Sequence, residues 1–277
     1  GAASSQLGGT ATGLPTKTEQ SDLLTALYPG HGDMQMPVIA PGTVEECFVA
    51  GHRAFAWAER YQGPVVVLSE HMLSERNQNI PKPDLSKVNS ENRSVYTGTN
   101  GYQRYDGWEL SPMPIPGNPG SYVANGSEHD GMGDTTHLAD RHIQMTNRRF
   151  SKLKLLEDGT YESQNTDASI VLMPWGGSKG SGLSAYEELA EEGVDLGWYY
   201  TMYLSPLPPK LLEELRTKDL VLVPELNYMG QFASVLRSQG VKAEAITQYT
   251  GLPFKVRELA SRIRDRVGTQ QKESVTA

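Results

Sequence analysis

Apolar residues along this chain gather in short runs separated by polar, glycine-marked turns, with helical spacing between the runs. Residues 37–40 (Pro-Val-Ile-Ala) read as a short buried strand. Thr43, with Glu46 three residues on, marks a helix start. Ala50, Ala54, Ala56 and Ala58 carry that helix to about Tyr61, and Phe48, Phe55 and Trp57 supply bulk for packing. Gly63-Pro64 then gives way to 65–68 (Val-Val-Val-Leu), an apolar run of strand length. Strand, helix and strand with short links predict a right-handed βαβ crossover in a parallel sheet. His71 follows the strand end, where open α/β sheets gather ligands, but a surface position accounts for it equally.

Regular alternation resumes at Ala168. A strand is predicted over 170–173, then a glycine-rich loop over 175–180, then a helix from about Ser181 to Gly193. That order can cradle a phosphate, although it lacks the spacing of a P-loop or of GxGxxG. A strand near 197–204 precedes a helix opened by Pro208-Pro209, with Leu211, Leu212 and Leu215 on one face. Residues 220–223 form another strand. Asn227 can cap a helix over 229–238 that Gly240 ends. A short strand near 241–246 and a helix over 255–267 follow, before a polar tail that reads as frayed. The C-terminal block is thus a doubly wound α/β domain. Glu225 and Asn227 fall just past a strand end, where binding sites lie, although capping is the simpler role for Asn227.

Between these blocks, residues 73–125 show little periodicity and hold six prolines. A structureless stretch of that length inside a domain is either functional or disordered. Tyr96, Tyr102, Tyr105, Trp108 and Tyr122 argue for an ordered arm packed on a surface, with a flexible linker as the alternative. Glu128, His129, Asp130, Asp134 and His137 invite a metal reading. Zinc-like Cys/His pairs and EF-hand spacing are both missing, so a hydrogen-bonded loop is favoured. From about Leu138 to Lys154 the chain is helical in style and basic.

The opening stretch is the most specific. Gly8, Gly9 and Gly13 permit left-handed backbone and close approach to a ligand. Thr16-x-x-Glu19 reads as a capping box for a helix bearing Leu23, Leu24 and Leu27, which Pro29-Gly30 stops. A loop rich in N–H and O–H groups then meets a helix start beside Lys17, which suits an anion.

Composition narrows the function classes. The formal net charge of −8 argues against a surface that tracks nucleic-acid phosphates. No apolar run reaches the ~20 residues of a membrane span. The single Cys47 excludes an internal disulfide framework and a Cys-ligated cluster within this chain. Beside Phe48 it reads as a core residue in a reducing, cytoplasmic setting.

The string Gly13-Leu14-Pro15-Thr16-Lys17-Thr18-Glu19-Gln20, with Asp22-Leu23, resembles the alpha subunit of 2-oxoacid:ferredoxin (acceptor) oxidoreductases, in its 2-oxoglutarate-type branch. The resemblance continues at His31-Gly32-Asp33, Gly126-Ser127-Glu128-His129-Asp130, Trp175-Gly176, Pro224-Glu225-Leu226-Asn227 and Gly251-Leu252-Pro253-Phe254. It implies part of a pyrimidine-binding α/β domain over 1–72, an arm and interdomain linker over 73–165, a transketolase C-terminal-like domain over 166–268 and a tail over 269–277. It also implies oxidative decarboxylation of a 2-oxoacid on thiamine diphosphate, transfer of the acyl group to coenzyme A, and electrons passed to ferredoxin. The implied partner is a beta subunit holding the diphosphate, its magnesium and an iron–sulfur cluster, in an (αβ)2 assembly.

Two departures from the family pattern stand out. Leu7 occupies the place where members usually carry an Arg that meets the substrate. The substrate loop and the Glu that activates the aminopyrimidine would lie before Gly1, so the chain is expected to be a truncated subunit, with Gly1-Ala2-Ala3-Ser4-Ser5 as a junction. The residues expected near substrate or cofactor are Thr10, Thr12 and Lys17, with His31 as a proton relay. Glu128, His129, Asp130 and Asn227 are secondary candidates, and no metal site is assigned. The alternatives are a subunit of another thiamine-dependent, transketolase-like enzyme, and a non-catalytic α/β assembly module.

Overall fold

The computed structural model describes residues 2–9, 13–88, 91–99, 101–106 and 110–276, apart from the side chains of 87 and 271–276. In chain order the elements are β1 (Ala2–Gln6), α1 (Leu23–Leu27), β2 (Val38–Ile39), α2 (Val44–Tyr61), β3 (Val66–Glu70), α3 (His71–Ser74) and α4 (Ala139–Ser151). They continue as β4 (Glu162–Gln164), β5 (Ile170–Leu172), α5 (Ser178–Glu191), β6 (Gly197–Tyr200), β7 (Tyr203–Ser205), α6 (Pro209–Arg216), β8 (Leu220–Glu225), α7 (Gln231–Ser238), β9 (Ala243–Thr247) and α8 (Val256–Thr276).

The first sheet has the order β1-β3-β2-β7 and the second β4-β6-β5-β8-β9. β2, α2 and β3 form the expected parallel crossover, with Val38 opposite Val66. Local chemistry explains α2. Thr43 Oγ1 accepts from the Glu46 N–H at 3.1 Å, and Glu46 Oε2 accepts from the Gly42 N–H at 2.7 Å. Two orphan donors at the helix entrance are thereby satisfied. Trp57 is fully buried, whereas Phe55 is exposed on the outer face. Cys47 is exposed as well, against its expected place in the core, because it shares the outer side of α2 with Phe48.

Both faces of the second sheet are covered. Ile170, Leu172, Leu220 and Leu222 pack in one core with α2, α5 and α8. Val171, Met173, Val221 and Val223 pack in another with α1, α6 and α7. This alternation is the period of a strand buried on both sides, and the doubly wound expectation holds. Each core also draws residues from the first sheet, Ile39 in one and Leu68 in the other.

Residues 2–6, for which no strand was expected, form an edge strand in parallel register with β3, from Ala2 opposite Val66 to Gln6 opposite Glu70. Two local expectations change. The single strand expected near 197–204 is two strands in different sheets, since β6 pairs with β5 while β7 pairs antiparallel with β2. Thr201 makes the switch: its hydroxyl donates to the Thr160 carbonyl and accepts from the Tyr203 N–H. Finally, α8 runs on past Gly268 to Thr276, where a frayed tail was expected.

Among its described residues, the arm over 73–125 carries the end of α3, a 3-10 turn at Leu85–Lys87 and one isolated bridge between Val95 and Met113, and is otherwise irregular. Its tyrosines hold it together. Tyr96, Tyr102, Tyr122 and Tyr105 form a chain of ring contacts 4.6–6.0 Å apart. The arm is fastened to α2 by Arg93–Glu59, Arg60–Glu91 and Gln62 to the Ser111 carbonyl. Trp108 lies outside the described residues.

Candidate cofactor-proximal site

The chain leaves β1 at Gln6 and closes a small loop. The Gly8 N–H donates to the Lys17 carbonyl at 3.0 Å, the Leu14 N–H to Gly8 at 2.6 Å and the Lys17 N–H to Leu14 at 3.1 Å. Gly13 has φ +74°, and a Cβ there would lie 2.5 Å from the Gly8 carbonyl oxygen. Thr10 and Thr12 lie outside the described residues. Lys17 is exposed. Its stem and Leu14 rest against Gly251, where a Cβ would come within 2.8 Å of both side chains. Leu14, Tyr228, Met229, Tyr249 and Leu252 form an exposed apolar rim here, with the Tyr228 and Tyr249 rings 5.1 Å apart.

The capping box expected at Thr16 and Glu19 does not form. α1 begins only at Leu23, without a side-chain cap. The backbone of Gln20 and Ser21 is taken up by contacts from far along the chain. The Gln20 N–H donates to the Leu226 carbonyl, Asn227 Nδ2 donates to the Gln20 carbonyl, and Gln231 Nε2 donates to the Ser21 carbonyl. A backbone engaged in this way cannot also turn into a helix.

Behind the loop lies a buried polar network that the sequence did not reveal. Gln20 Nε2 donates to Glu70 Oε1 at 2.6 Å and to the Trp175 carbonyl at 2.8 Å, while Gln20 Oε1 accepts from the Leu226 N–H at 2.8 Å. Glu70 Oε1 also accepts from the Gly177 N–H at 2.6 Å. Burial pushes the Glu70 carboxyl up to about 7, against the opposing pull of the Gly177 N–H, the Gln20 amide and the Thr18 hydroxyl. The glycine-rich loop read as a phosphate cradle thus holds a carboxylate of its own chain. A Cβ at either Gly176 or Gly177 would sit 2.5 Å from a Glu70 oxygen, so the glycines serve this approach. The signal was Glu70 at a strand end in a chain with a distant Gly-Gly turn, and only tertiary structure joins the two.

Asn227 is buried and fully engaged. Nδ2 reaches the Gln20 carbonyl and Glu225 Oε2, each at 2.9 Å, and Oδ1 accepts from the Gly230 and Gln231 N–H groups. Glu225 accepts from the Phe232 and Ala233 N–H groups at 2.8 and 2.9 Å, and from Trp175 Nε1 at 3.3 Å. Together they cap α7. His31 is exposed on the Gly30–Gly32 turn. Glu128 and His129 make their contacts with α4 and their own loop: Glu128 with His142, His129 Nδ1 with the Ser127 carbonyl, and the His129 carbonyl with Arg141. Asp130 Oδ1 gathers the N–H groups of Met132, Gly133 and Asp134, which makes it a turn cap. Among the described residues, no three His, Cys, Asp or Glu side chains come together as a metal-holding group. No helix among them is long and apolar enough to cross a membrane.

One orphan remains at the loop's foot. Gln6 is fully buried and its Oε1 accepts from the Asp22 N–H, but Nε2 has no partner among the described residues. An unpaired buried donor is costly unless a bound group meets it.

Comparison with known proteins places this geometry. The chain is 33% identical over 94% of its length to 2-oxoglutarate oxidoreductase subunit KorA of Mycobacterium tuberculosis, of which it covers 41%. It is 29% identical over 95% of its length to the alpha subunit of 2-oxoacid:ferredoxin oxidoreductase 1 of Aeropyrum pernix, of which it covers 43%. It superposes with a TM-score of 0.89 and 32% identity on 2-oxoglutarate:ferredoxin oxidoreductase from Magnetococcus marinus, solved with 2-oxoglutarate, coenzyme A and succinyl-CoA bound; the match covers 96% of this chain and 48% of that one. The chain thus spans rather less than half the length of these relatives. Residues 4–148 match the family described as pyruvate flavodoxin/ferredoxin oxidoreductase, thiamine diphosphate-binding, and the chain belongs to that family.

Proposed function

We propose that this chain forms one wall of a thiamine diphosphate pocket in the alpha subunit of a 2-oxoacid:ferredoxin oxidoreductase, and that 2-oxoglutarate is the 2-oxoacid. Supporting this above all is the likeness in backbone and sequence, over nearly the whole chain, to an enzyme solved with 2-oxoglutarate and coenzyme A bound. The proposed division is residues 1–72 as part of the pyrimidine-binding domain, 73–165 as arm and linker, 166–268 as the transketolase C-terminal-like domain and 269–277 as tail.

The residues present fit one side of such a pocket. Gln6 Nε2 offers a buried donor, and the exposed rim of Leu14, Met229 and Tyr228 offers an apolar face. Thiamine diphosphate, when bound, supplies the electron sink for the carbanion left by decarboxylation. The chain's own part is to orient the ring, exclude water and hold the acid. With Leu7 unable to pair with a carboxylate, exposed Lys17 takes the anionic end of the substrate. Thr10 and Thr12 are assigned to the same loop, and His31 to moving a proton between bulk water and the site.

The diphosphate and its magnesium fall to a beta subunit, since Glu70 engages the Gly177 N–H that the glycine-rich loop offers. The iron–sulfur cluster that passes electrons to ferredoxin falls there too, because this chain has one cysteine. An (αβ)2 assembly in the cytoplasm completes the proposal, and the apolar rim supplies a surface for the partner to cover.

The test is the intact alpha polypeptide co-expressed with its beta partner, assayed for dye reduction with thiamine diphosphate present. Reduction that requires both 2-oxoglutarate and coenzyme A is expected. Preference for another 2-oxoacid would remove the substrate assignment, and silence with every 2-oxoacid would remove the activity itself.

A further inference from the structure

The loop after β1 leaves the sheet beside Glu70 and comes back to it. At its start, Gln6 stands opposite Glu70 in the parallel register of β1 and β3. At its end, Thr18 Oγ1 lies 3.5 Å from Glu70 Oε2, and Gln20 Nε2 donates to Oε1 at 2.6 Å. Gln6, Thr18, Gln20 and Glu70 are all buried. Lys17 is held between these points: its carbonyl accepts from the Gly8 N–H, and Thr18 follows it directly. A shift at Glu70 is therefore passed to Lys17 across one residue, and no step of the proposed reaction uses Glu70 itself.

The two oxygens of Glu70 have different neighbours. Oε1 takes both the Gln20 amide and the Gly177 N–H, which leaves Oε2 to face the Thr18 hydroxyl. A neutral carboxyl fits this arrangement, with its carbonyl on the two N–H donors and its O–H turned to Thr18. An ionised one forces the Thr18 hydroxyl to turn round, and sets a poorly screened negative charge behind the loop. The titratable groups on the elements that meet Glu70 are Lys17, Glu19 and Asp22 before and at the start of α1, His71 beside it, Lys179 at the start of α5, and Glu225 behind Trp175. Lys179 is bonded to Glu46 and Glu162 instead. Burial raises the Glu70 carboxyl to about 7, and the groups that oppose it are the neutral donors Gly177, Gln20 and Thr18.

We infer that Glu70 is a positioning residue for the proposed substrate loop: through Thr18 and Gln20 it sets where the Lys17 segment stands, and its neutral form is the one that leaves the loop able to hold a carboxylate substrate. The inference rests on the 2-oxoacid reading of that loop. By linkage, a bound anion in turn favours the proton on Glu70.

The test uses the intact alpha polypeptide with its beta partner, between pH 6 and pH 8.5. Two quantities are followed: KM and kcat for 2-oxoglutarate, and hydrogen-exchange protection of the Leu14 and Lys17 amides, corrected for intrinsic exchange. In the parent, KM is expected to rise at least about fivefold with pH while kcat changes less, and loop protection to fall in the same interval. Glu70→Gln, which mimics the neutral carboxyl, should hold KM and protection near the parent's pH 6 values throughout. Thr18→Val keeps the shape but cuts the link from Glu70 to the loop, and should raise KM at pH 6. A purely structural role would leave the KM profile of the parent and of Glu70→Gln parallel. The inference is overturned if that occurs, if loop protection in the parent does not change with pH, or if Thr18→Val has the parent's KM. Silence with every 2-oxoacid would instead overturn the oxidoreductase reading, and loop protection then decides by itself whether Glu70 governs the loop.

Discussion

Gln20 donates to Glu70 Oε1 at 2.6 Å and to the Trp175 carbonyl at 2.8 Å, so one buried amide ties the end of β3 to the loop after β5. The two sheets meet across this pair, and the glycine-marked loop after β1 rests on it. The geometry of the proposed pocket wall therefore depends on a titratable group that makes no contact with solvent.

The first prediction concerns pH. Glu70 is held at about 7, above its ordinary 4.5. Between those values the folded chain keeps a proton that the unfolded chain has released. Stability therefore falls as pH rises through that window and levels off above it, a change of at most ~3 kcal/mol. In Glu70→Gln, the amide oxygen can accept from Gln20 and Gly177 while the amide nitrogen donates toward Thr18. We expect the variant to be folded, more stable than the parent at pH 8, and without the slope. Denaturant titrations at pH 5 and pH 8 measure both, and a parent slope surviving in the variant would assign it to another group.

A second prediction follows from Gly13. Its φ of +74° and a Cβ position 2.5 Å from the Gly8 carbonyl oxygen leave no room for Ala. Gly13→Ala should cost roughly 1–3 kcal/mol of local strain and open the Gly8–Leu14 bridge. Faster hydrogen exchange at the Leu14 amide, with β8 unaffected, is the expected signature. Uniform acceleration would mean that the strain spreads through the fold.

Lys17 and Leu7 make a paired kinetic test of the proposed substrate position. Lys17→Ala should raise KM for the 2-oxoacid about tenfold or more with a smaller change in kcat, as loss of ground-state charge pairing requires. Leu7→Arg, which restores the charge usual in the family, should lower KM. In His31→Ala, a pH–rate profile unchanged from the parent would remove the relay role. An unmoved KM in Lys17→Ala would place the acid elsewhere.

Sequence pattern revealed those parts of the fold that local chemistry decides. Thr43 and Glu46 cap α2 with their own neighbours, and β5 and β8 are apolar on both faces because both faces are covered. The hidden parts depend on distant partners. Thr16 and Glu19 have capping spacing, yet Leu226 and Asn227, some two hundred residues on, take up the backbone groups of Gln20, and no helix starts before Leu23. The apolar run 197–204 looks continuous because neither strand declares which sheet it joins, and Thr201 divides it through the Thr160 carbonyl. The glycine-rich loop over 175–180 looked like a phosphate cradle because a sequence does not show which anion it will meet.

Glu225 supplies the counterpart to Glu70. Both are buried carboxyls raised by desolvation, yet their hydrogen bonds differ. Glu225 Oε1 accepts from the Ala233 N–H, while Oε2 accepts from the Phe232 N–H, Asn227 Nδ2 and Trp175 Nε1. Donors surround both oxygens, so the amide nitrogen of Glu225→Gln must face an N–H in either orientation. The buried clash and the lost helix cap should cost about 2–4 kcal/mol, seen as a lower Tm with weakened protection of the first turn of α7. Glu70→Gln has a compatible arrangement and Glu225→Gln has none. One conservative exchange should thus be tolerated in the first position and damaging in the second. Equal tolerance at both would mean that Glu225 holds its proton and already donates, and its role as the anionic cap of α7 would then be lost.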